Sequence, residues 1–244
     1  MRTTNKLLGF VLFLAFLAGC KKSVSINEVL TDFTVDKTEI IADGNTAVTL
    51  TVKLNSEANA DRRNIIFTTS NGSFGDGAKK TVKAEYIDGV LMAKTSFKVS
   101  TKPGEITVSA KPEFDSPYDE YRLEKKLTAM PSVTQSIKIE PSAFGIAANF
   151  ASEISLTAYL KNNNGGFVSA GQKVLFEDLL PSGGAANGRF RNVISATSDS
   201  SKVSAVYAAP SLPIGTNIRI RCTVLDASGN PSIINDSIIL TINL

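Results

Sequence analysis

The stretch Ala47-Val-Thr-Leu-Thr-Val-Lys-Leu54 alternates apolar and polar residues without a break. Val48, Leu50, Val52 and Leu54 fall on one side, and Thr49, Thr51 and Lys53 on the other. A period of two is that of a strand with one face buried and one face wet. Similar runs follow at Ile65 to Thr69, Val90 to Val99, Ile106 to Ala110 and Tyr121 to Leu127. Turn-forming pairs separate them, at Asn71-Gly72, Asp88-Gly89 and Pro103-Gly104. Helical periodicity is nearly absent. Short strands at this spacing predict an all-β sandwich or barrel, not a parallel sheet with crossover helices.

The pattern then repeats. Glu153-Ile-Ser-Leu-Thr-Ala-Tyr-Leu160 matches 47–54, with Ile154, Leu156, Ala158 and Leu160 at the inward positions. Phe33-Thr-Val35 is echoed by Ile137-Lys-Ile139, and Ile40-Ile41-Ala42 by Gly145-Ile146-Ala147. Asn71-Gly-Ser-Phe74 is echoed by Asn187-Gly-Arg-Phe190. Gly104 with Ile106 to Ala110 is echoed by Gly215 with Ile218 to Cys222. Matches in one constant order are the mark of two copies of one structural unit.

Each copy resembles a bacterial immunoglobulin-like domain of the invasin/intimin type. The residues that carry the resemblance are Ile41-Ala-Asp-Gly-Asn-Thr46 before the alternating strand, Phe67-Thr-Thr-Ser-Asn-Gly-Ser-Phe74, and the Asp88-Gly89-Val90 turn. The second copy keeps Val174-Leu-Phe176 and Asn187-Gly-Arg-Phe190. It replaces the Ala-Asp-Gly entry by Ala147-Ala148-Asn149 and inserts residues 178–186. The resemblance implies two tandem immunoglobulin-like β-sandwiches and a role as a rigid spacer or adhesive stalk. It transfers no binding residue. Domain one is expected over 31–130, a linker over 131–135 and domain two over 136–244. Five linker residues reach at most about 17 Å, so end-to-end domains with limited pivoting and a small interface are expected.

The first 19 residues have a different logic. Arg2 and Lys6 precede an apolar run from Leu7 to Leu17, and Leu17-Ala18-Gly19-Cys20 closes it. This is the layout of a secretory signal peptide, and the run is too short to span a hydrocarbon core that needs about 20 residues. Leu-Ala-Gly-Cys in that place resembles the lipobox of bacterial lipoproteins. The resemblance implies cleavage before Cys20, lipidation of Cys20, and a tether over residues 20–30. Acyl chains, at about 0.8 kcal/mol per buried methylene, then anchor the protein to a membrane without spanning it. Lys21 and Lys22 follow the cysteine where family sorting rules place Asp for inner-membrane retention, so the outer membrane is expected, with its periplasmic or surface side open.

Charge and composition narrow the partners. Loss of residues 1–19 removes Arg2, Lys6 and no acid, which takes the formal charge from +3 down by two to +1. That balance gives no basic footprint for nucleic acid. The chain has no His, which removes the commonest general base and metal ligand. With Cys20 acylated, Cys222 is the one remaining thiol, and the fold depends on apolar cores without disulfide staples. No catalytic motif is visible, and no enzyme activity, metal or cofactor is expected.

Three segments merit attention as sites. Glu113-Phe-Asp-Ser-Pro-Tyr-Asp-Glu-Tyr121 is acidic and aromatic. Glu113, Asp115, Asp119 and Glu120 are carboxylates that attract Ca²⁺, and Tyr118 and Tyr121 offer a protein- or sugar-contacting surface. The competing reading is a solvated hairpin loop turning at Pro117. Asp226-Ala-Ser-Gly-Asn-Pro-Ser232 lacks the oxygen spacing and terminal Glu of a calcium loop and reads as a Gly-Asn turn. Cys222, opposite Ala110 in the repeat, reads as a small buried hydrophobe. The function expected is a lipid-anchored structural or adhesive module with a protein or glycan partner. The alternative is a ligand-binding or accessory lipoprotein of an envelope complex or polysaccharide-uptake system.

Overall fold

The computed structural model describes residues 29–113 and 122–243. Cys20 and the loop residues Asp115, Tyr118, Asp119, Glu120 and Tyr121 lie outside the described residues. The first half contains β1 (Leu30–Val35), β2 (Glu39–Ala42), β3 (Ala47–Leu54), β4 (Asn64–Thr69), β5 (Lys79–Lys83), β6 (Glu85–Ile87), β7 (Val90–Lys98), β8 (Gly104–Pro112) and β9 (Leu123–Pro131). The second contains β10 (Ser136–Pro141), β11 (Gly145–Ala147), β12 (Ile154–Lys161), β13 (Val174–Leu179), β14 (Arg189–Ile194), β15 (Lys202–Ala208), β16 (Asn217–Leu225) and β17 (Pro231–Asn243).

An antiparallel strand with one apolar face needs a second sheet to cover it, and each half supplies one. Sheet order is β1-β3-β7-β6 against β2-β9-β8-β4-β5 in the first sandwich, and β10-β12-β15-β14 against β11-β17-β16-β13 in the second. In both, the opening segment changes sheets. β1 pairs antiparallel with β3, whereas β2 pairs parallel with β9. β10 and β11 repeat this with β12 and β17. The two sandwiches are immunoglobulin-like, in agreement with the fold class read from the sequence.

The pairing registers refine the repeat. Phe33 faces Val52 and Ile139 faces Ala158, so Phe33 corresponds to Ile139 rather than Ile137. That shift of two leaves the face unchanged. Ile40 faces Ala129 and Ile146 faces Ile242, so buried Ile40, not Ile41, matches Ile146. Ile41 is 46% exposed. A doublet of isoleucines satisfies either phase of a short strand, and only the neighbouring strand selects one. The expected tether also ends early, because Val29 and Leu30 are already buried in the first core.

Each sandwich has its own core. Phe33, Leu50, Phe67, Phe97, Ile106 and Leu127 belong to one, and Ile146, Leu156, Leu160, Tyr207, Ile218 and Leu240 to the other. Val48, Leu50, Val52 and Leu54 are all buried, as the alternation requires. In one place the first core is imperfect. The inward Thr95 is buried with its hydroxyl unpartnered, where the second sandwich has Ala205.

Residues 29–130 and 136–243, expressed separately, should each give a strand-type far-UV spectrum and a cooperative melt. In the full chain, Leu50→Ala should destabilise the first sandwich by about 2–5 kcal/mol, through lost transfer energy and a residual cavity. The half-buried Thr51→Ala should cost well under that amount. Equal costs for the two substitutions, measured by denaturant titration, would contradict the register.

Candidate functional site

The residues flagged by sequence do not converge. Of the acidic-aromatic loop, Glu113 is described. It is exposed, and its N–H donates to the Asn64 carbonyl at 2.7 Å. That is the end of the first sandwich where the chain enters and the end remote from the second sandwich. Asp226 closes a turn as expected. Its carboxylate accepts from the N–H groups of Ser228 and Asn230 at 2.9 and 2.8 Å, with Gly229 left-handed at φ 85°. Cys222 is fully buried opposite Phe176. Burial, and secondarily Asp236, pushes its thiol up to about 12. Among the described residues no group of three or more Cys, Asp and Glu is arranged to hold a metal ion.

What sequence reasoning missed is the polar joint between the sandwiches. Its centre is Ser169, buried and 127 residues from its partner Ala42. The Ser169 hydroxyl accepts from the Ser132 N–H at 2.8 Å and donates to the Ala42 carbonyl of the first sandwich at 2.9 Å. The Ser169 N–H returns to the Ser132 carbonyl at 3.0 Å. Ala170 N–H donates to the Thr101 carbonyl at 2.9 Å, and the buried Thr101 hydroxyl donates to the Asp199 carboxylate at 2.8 Å. Behind this segment, Thr197 donates to the Ser169 carbonyl and Ser201 holds both backbone groups of Val168. The linker is therefore part of the interface and not a free tether. Gly44 seats Phe167 there. A Cβ at Gly44 would lie 3.1 Å from Thr101 Cγ2 and 3.3 Å from the Phe167 ring.

Two open cavities flank the joint. One, of about 540 Å³, is lined by Gly44, Lys98, Thr101, Phe167 and Asp199 among others. The other, of about 590 Å³, lies along the linker beside Val133, Thr134, Gln172 and Ile234. Phe167 is the single aromatic side chain in the two linings together.

A second polar centre lies at the far end of the second sandwich. Tyr207 is fully buried, and its hydroxyl donates to Asp178 at 2.9 Å. The same carboxylate oxygen accepts from the Gly188 N–H at 2.6 Å. Burial first, and the Asp178 hydrogen bond second, raise the phenol's pKa and keep it protonated as a donor. Only glycine fits at 188, since a Cβ would stand 2.3 Å from the Tyr207 hydroxyl. The network closes the inserted segment that begins at Asp178 and aims the next residue, Arg189, outward. Its guanidinium carbon lies 4.9 Å from the centroid of the Phe150 ring. Phe190, after it, packs on Tyr207 at 4.9 Å between centroids.

No family model matches the chain, and no curated protein sequence is significantly similar to it. Solved structures are similar to it. Invasin, described as a bacterial integrin-binding protein, superposes with a TM-score of 0.59 at 19% identity, over 86% of this chain and 38% of invasin. The Yersinia pseudotuberculosis adhesin InvE gives 0.46 at 17% identity, over 89% of this chain and 61% of InvE. The D0-D1 domains of intimin give 0.33 at 22% identity, over 87% of this chain and 98% of that one. The fold is similar to that of the immunoglobulin-like domains of invasin. The chain spans less than two thirds of the length of both InvE and invasin.

Two outcomes follow. Ser169→Ala leaves the Ala42 carbonyl and the Ser132 N–H without that partner, which should cost about 1–3 kcal/mol. The melting temperature should fall, and small-angle scattering should report a wider spread of interdomain angles. No change in either would show that the joint does not depend on this hydroxyl. In a Cys20→Ala chain, thiol reagents at pH 8 should label Cys222 only as fast as the protein unfolds. Buried Cys222 and Tyr207 keep their protons while the unfolded chain releases them near the ordinary values of about 9 and 10. The native state then binds more protons, so stability should fall as pH rises above about 9. A flat alkaline limb in pH-dependent denaturation would contradict that burial.

Proposed function

We propose that this chain is a lipid-anchored module of the bacterial cell envelope. It holds two immunoglobulin-like domains as one stiff unit and uses them for structural or adhesive binding to a protein or glycan partner. The observation that carries this reading is the joint. A hydrogen-bonded interface built from Ser132, Ser169, Thr101 and Asp199 suits a protein that must keep a binding end away from its attachment point. The fold it shares with an integrin-binding protein supports the same reading.

Cys20 is the attachment point in this reading, acylated after cleavage at the lipobox-like Leu17-Ala18-Gly19-Cys20 and held in the outer membrane. Eight residues lie between it and Val29, a reach of at most roughly 30 Å. No enzyme activity is proposed. A concave aromatic pocket would favour the ligand-binding accessory lipoprotein instead, and the joint cavities offer Phe167 alone.

The test is lipid labelling. Cells producing the wild-type chain should incorporate labelled palmitate into a band that fractionates with the outer membrane. The Cys20→Ala chain should keep its signal segment and take up no label. Equal labelling of both would remove the anchor from the reading.

A further inference from the structure

The two domains present turns at the same end that differ in sequence, Asp43-Gly44-Asn45 in the first and Asn149-Phe150-Ala151 in the second. Val48 corresponds to Ile154, because each faces an aromatic residue, Phe97 and Tyr207, on the neighbouring strand. Four residues earlier stand Gly44 and Phe150, both left-handed at φ 71° and 57°. Gly44 leaves room for the next domain to seat itself. Phe150 puts an aromatic ring where the first domain has no side chain.

A bulky residue in the left-handed region is a conformational outlier, held only when its surroundings over-determine it. Here the surroundings do so. Asn149 is left-handed too, Ala151 N–H closes the turn on the Ala148 carbonyl at 3.2 Å, and Phe150 N–H donates to the Ala209 carbonyl at 2.8 Å. The strain brings no core burial in return, since Phe150 is 41% exposed. Arg189 lies on its ring, and among the described residues no carboxylate pairs with it, whereas Arg191 nearby is paired with Glu153. A guanidinium stacked on a ring keeps its N–H edge free for a forked bond to a carboxylate. The loops at this same end also present Phe144 and Ile214, each 64% exposed. Phe144 adjoins β11, and Ile214 precedes Gly215, which is bonded to Ile242 on β17.

We propose that this end of the second domain docks a protein partner that presents a carboxylate beside apolar side chains, with Arg189 taking the carboxylate and Phe150 the apolar contact. The proposal rests on the reading of the chain as a binding module and adds where and what it binds. Aromatic residues and arginine carry most of the energy at protein interfaces, and here they are fixed in advance by backbone and by the Asp178 network.

The test pans a random dodecapeptide phage library on the full chain in detergent and measures the selected peptides by fluorescence polarisation. Enriched peptides should carry Asp or Glu next to aliphatic or aromatic residues. Phe150→Gly and Arg189→Gln should each weaken them at least tenfold, and Tyr86→Ser, at the opposite end of the molecule, should not. Phe150→Gly should melt at or above the wild type because it relieves the left-handed strain, so its loss of binding is not a loss of fold. Peptides that ignore both far-end substitutions would overturn this face while leaving a binding module elsewhere on the chain. A library that enriches nothing would count against both readings.

Discussion

Everything in this molecule follows from the need to cover one-sided strands without covalent help. Each sheet has an apolar face and must meet another, and the one described cysteine is buried alone. The opening strand therefore divides between sheets, β1 in one and β2 in the other, which clamps both layers at the point of chain entry. The same device recurs at β10 and β11. Leu50 and Leu156 are fully buried against opposing sheets.

The joint between the sandwiches is held mainly by hydrogen bonds. The meeting surface is largely polar, built from Ser132, Ser169, Thr101, Asp199 and strand-end carbonyls, with Phe167 seated on Gly44. Short hydroxyl side chains have few rotamers to lose and sit close to the backbone. Each bond they make therefore fixes an angle between domains more firmly than a pair of long charged side chains would. Thr134, buried beside them with an unpartnered hydroxyl, shows that even this surface is not perfectly matched.

The strands and the repeat were legible in the sequence because a period of two is written in every residue of Ala47–Leu54 and Ile154–Lys161. The Asn71 and Asn187 echo was legible for the same kind of reason. Gly72 and Gly188 each meet the aromatic strand beside them, and Phe74 and Phe190 pack on Phe97 and Tyr207. The phase of Ile40 and Ile41 was not legible, since both residues are apolar and only pairing with β9 decides between them. Neither polar centre was legible. Ser169 and Ala42 are remote in sequence, and an isolated serine has no pattern. The acidic-aromatic loop drew attention by composition alone, while Phe150 and Arg189, ordinary in composition, become a pair only when two loops fold together.

Divergence between the copies follows a physical rule that the far-end network makes visible. At one core-edge position the first domain has Thr69 and the second Asp178. Thr69 closes a tight turn through its own hydroxyl, which donates to the Asn71 carbonyl at 2.8 Å. The second domain has a longer loop to close, with Asp178 and Gly188 ten residues apart. Asp178, an acceptor on both oxygens, takes the Gly188 N–H and the Tyr207 hydroxyl together. That choice requires the inward aromatic to carry a donor, which is why Phe97 in one domain is Tyr207 in the other. It also requires a residue without a Cβ at 188. Asp178, Tyr207 and Gly188 are thus three identities matched to one another beneath the longer loop, and Arg189, the residue after Gly188, lies over Phe150 on the surface above them.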